Sequence, residues 1–149
     1  KLSDKLNKYF VKKYYLPNLP YSLQNELLKY ANSSIDISDG LFSDLKKLIN
    51  KQNFGFKIYL NLIPVSQNMK SIIKDKNLNF LNYVSRGDDY QILFTASKKN
   101  RIKIRKLSKR INLKISHIGE ITNQSRDNKI VIDNKPLKSS KYRGYSHIF

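Results

Sequence analysis

Cysteine is absent from this chain of 149 residues, which excludes disulfides and thiolate metal sites. No apolar run approaches the roughly 18 residues of a membrane-spanning helix, and the mean hydropathy is negative, so no membrane partner is expected. No signal peptide opens the sequence, and the expected location is the cytoplasm. No internal repeat or low-complexity linker divides the chain, and at 40% hydrophobic residues it is long enough for one domain with its own core. Acid is scarce: 11 Asp and Glu stand against 29 Lys and Arg, a formal net charge of +18. That excess suggests anionic partners, but Lys, Asn and Ile are abundant everywhere and the charge reads as a general compositional bias. Basic charge steers nucleotides and phosphorylated substrates as readily as nucleic acid.

Against that scarcity, Asp36, Asp39 and Asp44 fall within nine residues, in Ser33-Ser34-Ile35-Asp36-Ile37-Ser38-Asp39-Gly40-Leu41-Phe42-Ser43-Asp44-Leu45. Ile35 and Ile37 alternate with Asp36 and Ser38, the period of a strand with one apolar face. Leu41, Leu45, Leu48 and Ile49 then recur with the period of an amphipathic helix, and Gly40 sits at the junction. Asp36 and Ser38 share one side of the expected strand, and Asp39 lies in the turn that opens the helix. The N–H groups and dipole of a helix start favour an anion such as phosphate, yet two carboxylates already bring negative charge there. A hard cation resolves the conflict: Mg²⁺ takes oxygen ligands, is held by one or two carboxylates and completes its shell with substrate phosphates. The alternative is that Ser38 or Asp39 caps the helix while Asp36 is solvated; both readings stay open from spacing alone, which favours the cap.

The run Ser34-Ile35-Asp36-Ile37-Ser38-Asp39-Gly40-Leu41-Phe42-Ser43-Asp44-Leu45 resembles the signature of thiamine-monophosphate kinases. Downstream, Ser85-Arg86-Gly87-Asp88-Asp89-Tyr90-Gln91-Ile92-Leu93-Phe94-Thr95 resembles that family's glycine-acid-Asp-Tyr segment, and Gly144-Tyr145-Ser146-His147-Ile148-Phe149 resembles its Gly-aromatic-x-His-Phe terminus. Three matches in order are more specific than any one. The resemblance implies a layered α/β/α domain with a mixed sheet, like the C-terminal domain of aminoimidazole-ribonucleotide synthetase. It implies Mg²⁺ on Asp36 and Asp39, the nucleotide at Ser38, and thiamine monophosphate at Asp88 and under an aromatic at the C-terminus, with Phe149 chosen and Tyr145 in reserve; no residue is assigned as catalytic. It implies ATP as co-substrate, and an N-terminal domain that supplies further aspartates, dimerises, and has no matching segment here. The isolated chain is accordingly expected to be inactive. Arg86 stands where the family has glycine and Gln91 where it has Glu, which disturbs the local backbone or puts a guanidinium beside Asp88 for phosphate.

Taken in order, residues 1–32 read as a helical lead-in to an α/β core over 33–149. Leu2, Leu6 and Phe10 mark a helix that Pro17 and Pro20 end, and Leu23, Leu27, Leu28 and Ala31 mark a second. Strands are expected at Ser33–Ser38, Phe56–Leu60, Tyr90–Thr95, Leu113–Ile118 and Lys129–Ile132. Between the second and third of these strands the chain reads as helical from Ser66 to Ser85, with a break near Asp75–Asn77. A turn is expected at Asp133–Pro136. His117 reads as a core or edge histidine. From Lys98 to Ile111, eight Lys and Arg surround the stripe Ile104, Leu107 and Ile111. A solvated outer helix explains that segment better than a nucleic-acid face, because no aromatics are interleaved. A basic nucleic-acid-binding module remains the rival from another class, and other ATP-dependent enzymes of the superfamily the rival within the class.

Overall fold

The computed structural model describes residues 2–49, 52–123, 129–132 and 135–137. Helix α1, Asp4–Tyr15, starts at Ser3, whose hydroxyl accepts from the Leu6 N–H, and it ends before Pro17 with none of its residues buried. A 3-10 turn at Tyr21–Leu23 leads into α2, Gln24–Tyr30. Strand β1, Ala31–Asp36, keeps Ala31, Ser33 and Ile35 half-buried and exposes Asn32, Ser34 and Asp36. The alternation continues into Ile37, but the regular strand stops two residues before the expected Ser38, because the chain must turn there to enter α3, Leu41–Leu48.

Next come β2, Gly55–Tyr59, and a 3-10 turn at Leu60–Leu62. Helices α4, Gln67–Asp75, and α5, Phe80–Val84, each start on a side-chain cap, Ser66 for the first and Asn79 for the second. The break between them has Asn77 at φ 47°, a left-handed conformation that Asn tolerates and that ends a helix. Strand β3, Ile92–Ala96, is followed by a 3-10 turn at Lys98–Asn100 and by α6, Arg101–Arg110. Strands β4, Gly119–Thr122, β5, Lys129–Ile132, and β6, Lys135–Leu137, complete the described elements.

The strands divide into two sheets. β1 and β3 form an antiparallel pair in which Ile35 faces Leu93 and Asp36 faces Ile92. The second sheet is mixed, in the order β4-β2-β5-β6: β2 runs antiparallel to β4 and parallel to β5, and β5 antiparallel to β6. The core lies where α3 and α5 meet both sheets, with Leu41, Phe42 and Leu45 against Phe56, Ile58, Leu81, Val84, Leu93 and Ile130. Each such side chain contributes about 1.5–3 kcal/mol when fully buried.

One expectation is corrected. Leu113–Ile118 is not a strand: Ser108 Oγ donates to the Leu113 carbonyl at 2.7 Å and accepts from the Ile115 N–H at 3.2 Å, so a side chain takes the place of a ladder. Backbone bonding to β2 starts only at the end of the segment, where the Tyr59 N–H donates to the Ile118 carbonyl at 2.9 Å, and the regular ladder begins at Gly119. The reversal expected at Asp133–Pro136 agrees with the antiparallel pairing of β5 and β6, in which Ile132 lies opposite Lys135, although Lys135 and Pro136 belong to β6; residues 133 and 134 lie outside the described residues. On α6, Leu107 is buried while Lys103, Arg105, Lys106, Lys109 and Arg110 are exposed, as a solvated outer helix requires. Among the described residues no helix is long and apolar enough to cross a membrane.

Candidate functional site

Beyond β1 the backbone keeps bonding to the segment that precedes β3, although the regular ladder has ended. Ile37 N–H donates to the Gln91 carbonyl at 2.8 Å, Tyr90 N–H to the Ile37 carbonyl at 2.9 Å, and Asp88 N–H to the Ser38 carbonyl at 3.0 Å. The two sequence motifs, far apart along the chain, therefore meet as one backbone unit.

Glycines permit that approach, one from each motif. A β-carbon on Gly87 would lie 1.8 Å from the Ser38 carbonyl oxygen, and one on Gly40 would lie 2.3 Å from the Ser85 carbonyl oxygen. Gly40 also has φ 109°, closed to other L residues at low cost. Each loop occupies the space where the other's side chain would be.

Gly40 is the residue at the N-cap position of α3, and no side chain caps the helix there. This removes the reading in which Ser38 or Asp39 acts as the cap. The carboxylate that organises the turn is Asp44, fully buried, whose Oδ2 accepts from the N–H groups of both Ser38 and Asp39 at 2.9 Å. Its Oδ1 accepts from Lys47 Nζ at 2.9 Å, and Lys47 also bonds to Asp39 Oδ2. Burial opposes the charge on Asp44, but the Lys47 ammonium and the N–H groups of Asp39 and Ser38 outweigh it and hold the carboxyl below its ordinary value. Lys47 is held above its own ordinary value by Asp39 first and Asp44 second. Sequence reasoning counted Asp44 but gave it no role, and missed Lys47. The signal was present: Asp44 falls between Leu41, Leu45 and Leu48 on the apolar stripe of α3, where a charge needs fixed partners.

Asp36 is exposed at the end of β1. Asp88 is exposed and left-handed at φ 65°, as is Tyr90 at φ 50°, and the Tyr90 hydroxyl donates to Asp88 Oδ1 at 3.3 Å. The Tyr90 phenol is pushed up first by the Asp88 charge and its hydrogen bond, with smaller contributions from Tyr14 and Asp36. Asp36 and Asp88 thus act on the same phenol. Asp89 is exposed as a residue, yet loss of hydration at its carboxyl, reinforced by Asp88, pushes it up to about 6.

Arg86 takes no left-handed backbone; within this segment the left-handed residues are Asp88 and Tyr90. Its guanidinium lies over the Tyr83 ring, 5.4 Å from the centroid, and makes no ion pair with Asp88 among the described residues. His117 is exposed, with Nε2 3.2 Å from Arg101 Nη2, and belongs to no core. Phe149 and Tyr145 lie outside the described residues.

The structure thus joins Ser38 to Asp88 and hydrogen-bonds Tyr90 to Asp88, while Asp39 pairs with Lys47 and Asp36 stays exposed at the end of β1. No group of three or more acids or histidines able to hold a metal occurs among the described residues. Ser38, Asp39, Arg86, Gly87 and Asp88 line a broad cleft of about 2280 Å³ that also reaches Tyr14 of α1.

The chain is 34% identical over 143 residues to thiamine-monophosphate kinase of Buchnera aphidicola subsp. Acyrthosiphon pisum, covering 95% of this chain and 43% of that protein. It is 30% identical over 141 residues to thiamine-monophosphate kinase of Escherichia coli strain K12, covering 93% and 42%. The chain therefore spans less than half the length of these relatives. Among solved structures, the fold is similar to AaThiL complexed with AMPPCP and TMP, with TM-score 0.73 and 23% identity over 99% of this chain and 44% of that one. It is also similar to thiamine monophosphate kinase from Aquifex aeolicus, with TM-score 0.67 and 24% identity over 92% and 43%. The profile of the family described as AIR synthase related protein, C-terminal domain, matches residues 2–132, and the chain belongs to that family.

Proposed function

We propose that this chain is the C-terminal domain of a cytoplasmic thiamine-monophosphate kinase, which moves the γ-phosphoryl group of ATP onto the phosphate of thiamine monophosphate. The observation that carries this reading is the interlock of the two motifs, in which the Ser38 carbonyl accepts from the Asp88 N–H and Gly40 and Gly87 fit against the opposite loop. It brings the candidate nucleotide residue Ser38 and the candidate substrate residue Asp88 to one rigid backbone unit. Phosphoryl transfer depends on such positioning, because there is little covalent chemistry for the protein to perform.

Asp36 and Asp39 fit Mg²⁺ by donor chemistry, since carboxylate oxygens at partly open positions suit a hard cation. Mg²⁺, when bound, neutralises charge developing on the transferred phosphoryl group. Two carboxylates make only part of a binding shell. The remaining ligands would come from the nucleotide phosphates and from a further, N-terminal domain, and the breadth of the cleft supports a second protein surface closing over it. Ser38 would hold the nucleotide, Asp88 would orient thiamine monophosphate with Tyr90 bracing its carboxylate, and Phe149 would cover the thiazolium ring through cation–π attraction. The complete enzyme is proposed to be a homodimer.

The test is turnover of Mg²⁺-ATP and thiamine monophosphate by the 149-residue chain alone and by a complete enzyme containing it. Activity only in the complete enzyme, lost in Asp36→Asn and Asp39→Asn, is the expected result. Full-rate turnover by the chain alone, or normal turnover in both variants, would overturn the reading.

A further inference from the structure

We propose that Lys47, seated by the buried Asp44, is the resident counter-ion of the Asp39 carboxylate and that a divalent cation must displace it from Asp39 to bind. The inference rests on the reading of Asp39 as a metal ligand given above.

The geometry separates the two contacts that Lys47 makes. Asp44 is inaccessible to solvent and already accepts from two backbone N–H groups, so its bond to Lys47 at 2.9 Å belongs to the folded framework. The side chain of Asp39 is 22% exposed and that of Lys47 is 48% exposed, so their pairing is at the surface and open to exchange. A cation approaching Asp39 meets an ammonium that has somewhere to stay: Lys47 keeps Asp44 when it releases Asp39. Two carboxylates therefore share one ammonium before metal arrives, and each has its own cation afterwards. In this arrangement Asp44 is a positioning residue, fixing the Ser38–Asp39 turn through the backbone and Lys47 through its second oxygen. Lys47 is an internal competitor that keeps Asp39 neutralised while no metal is present.

The competitor is worth what a partly exposed ion pair is worth, which sets the expected effect at about a two- to fivefold change in metal affinity. The control for net charge is Lys46→Met, which removes the same charge from an exposed position beside Lys47 that makes no ion pair among the described residues. The experiment titrates Mn²⁺ alone into a complete enzyme containing this chain and into its variants, reading free Mn²⁺ by electron paramagnetic resonance. In parallel, the Lys47 side-chain nitrogen resonance is followed in the wild type during a Mg²⁺ titration, which keeps the question answerable if Lys47→Met does not fold.

Tighter Mn²⁺ binding in Lys47→Met than in Lys46→Met, abolished when Asp39→Asn is added, together with a shift of the Lys47 resonance on Mg²⁺ addition, is the expected outcome. Metal binding that Asp39→Asn weakens, but that Lys47→Met alters no more than Lys46→Met does, overturns the displacement and leaves the metal reading standing. A Lys47 resonance unmoved at saturating Mg²⁺ does the same. Binding that is undetectable in the complete enzyme, or indifferent to Asp39→Asn, overturns the metal reading and the displacement with it.

Discussion

Gly87 lies against the Ser38 carbonyl so closely that a β-carbon there would sit 1.8 Å from the oxygen, while the Asp88 N–H donates to that same oxygen at 3.0 Å. One carbonyl thus demands a residue without a side chain and an amide with a hydrogen, side by side. Gly87→Ala is expected to break the interlock, because the obstructing atoms are backbone and cannot swing away. A loss of at least about 2 kcal/mol is expected from such a backbone clash. Chemical denaturation measures it, and a stability within error of wild type would mean the loops separate freely.

Asp44→Asn is expected to be among the most damaging single polar changes in the chain. An amide retains one acceptor, but its NH₂ must face either the Lys47 ammonium or the two backbone N–H groups now served by the carboxylate. Breaking a buried, hydrogen-bonded charge of this kind costs about 3–5 kcal/mol. A melting temperature close to wild type would contradict the assignment of Asp44 as the organiser of the turn.

Acid should expose the same residue. The folded state holds the Asp44 carboxyl below its ordinary value, so its stabilisation is fully present above the unfolded-state value near 3.8 and is lost as pH falls through the lower folded value. Stability of the wild type should therefore fall below about pH 4, and that part of the fall should be missing in Asp44→Asn. Denaturation midpoints at a series of pH values for both proteins provide the comparison.

Asp89 should show the opposite sign. Its carboxyl is raised from 3.8 to about 6 in the folded chain, so folding favours the protonated form and the residue weakens the fold as pH climbs between those values. Asp89→Asn is expected to stabilise the protein at neutral pH and to change little near pH 3. Equal effects at both pH values would show that the charge is not what the site resists.

Asp36→Asn and Asp39→Asn should leave stability nearly intact. Asp36 is exposed, and Asp39 loses only a partly exposed pair with Lys47, worth about 0.2–1 kcal/mol. Each should nevertheless abolish Mg²⁺-dependent turnover in a complete enzyme. Thermal melts and kinetics on the same preparations separate the two effects.

The apolar periodicities of β1, α3, β2 and α4 were legible in the sequence because each element buries one face against the core. Leu113–Ile118 shows the limit of that reasoning. Its alternation is real, with Leu113 and Ile115 half-buried around an exposed Lys114, but pattern reports burial and not backbone partners, and the Ser108 hydroxyl supplied those. The site motifs were legible as residue types, with their junction glycine in place. Their mutual contact was not, since nothing in Ser38 or Asp88 alone announces that one bonds to the other. Asp44 was visible as an acid on an apolar stripe, a local conflict that turned out to mark the centre of the turn.

The parallel pairing of β2 with β5, and the closing of the Asp36 turn on the Gly87 turn, both join segments that lie far apart along the chain. Contacts of that kind form late, because the intervening chain must be ordered before they return any stabilisation. During synthesis the Asp36–Asp39 segment leaves the ribosome well before Gly87 and Asp88 exist to shape it. The candidate site is thus a report on completed folding: a chain stalled or misfolded before β3 has docked on β1 carries the acids of the first motif without the second loop that shapes them.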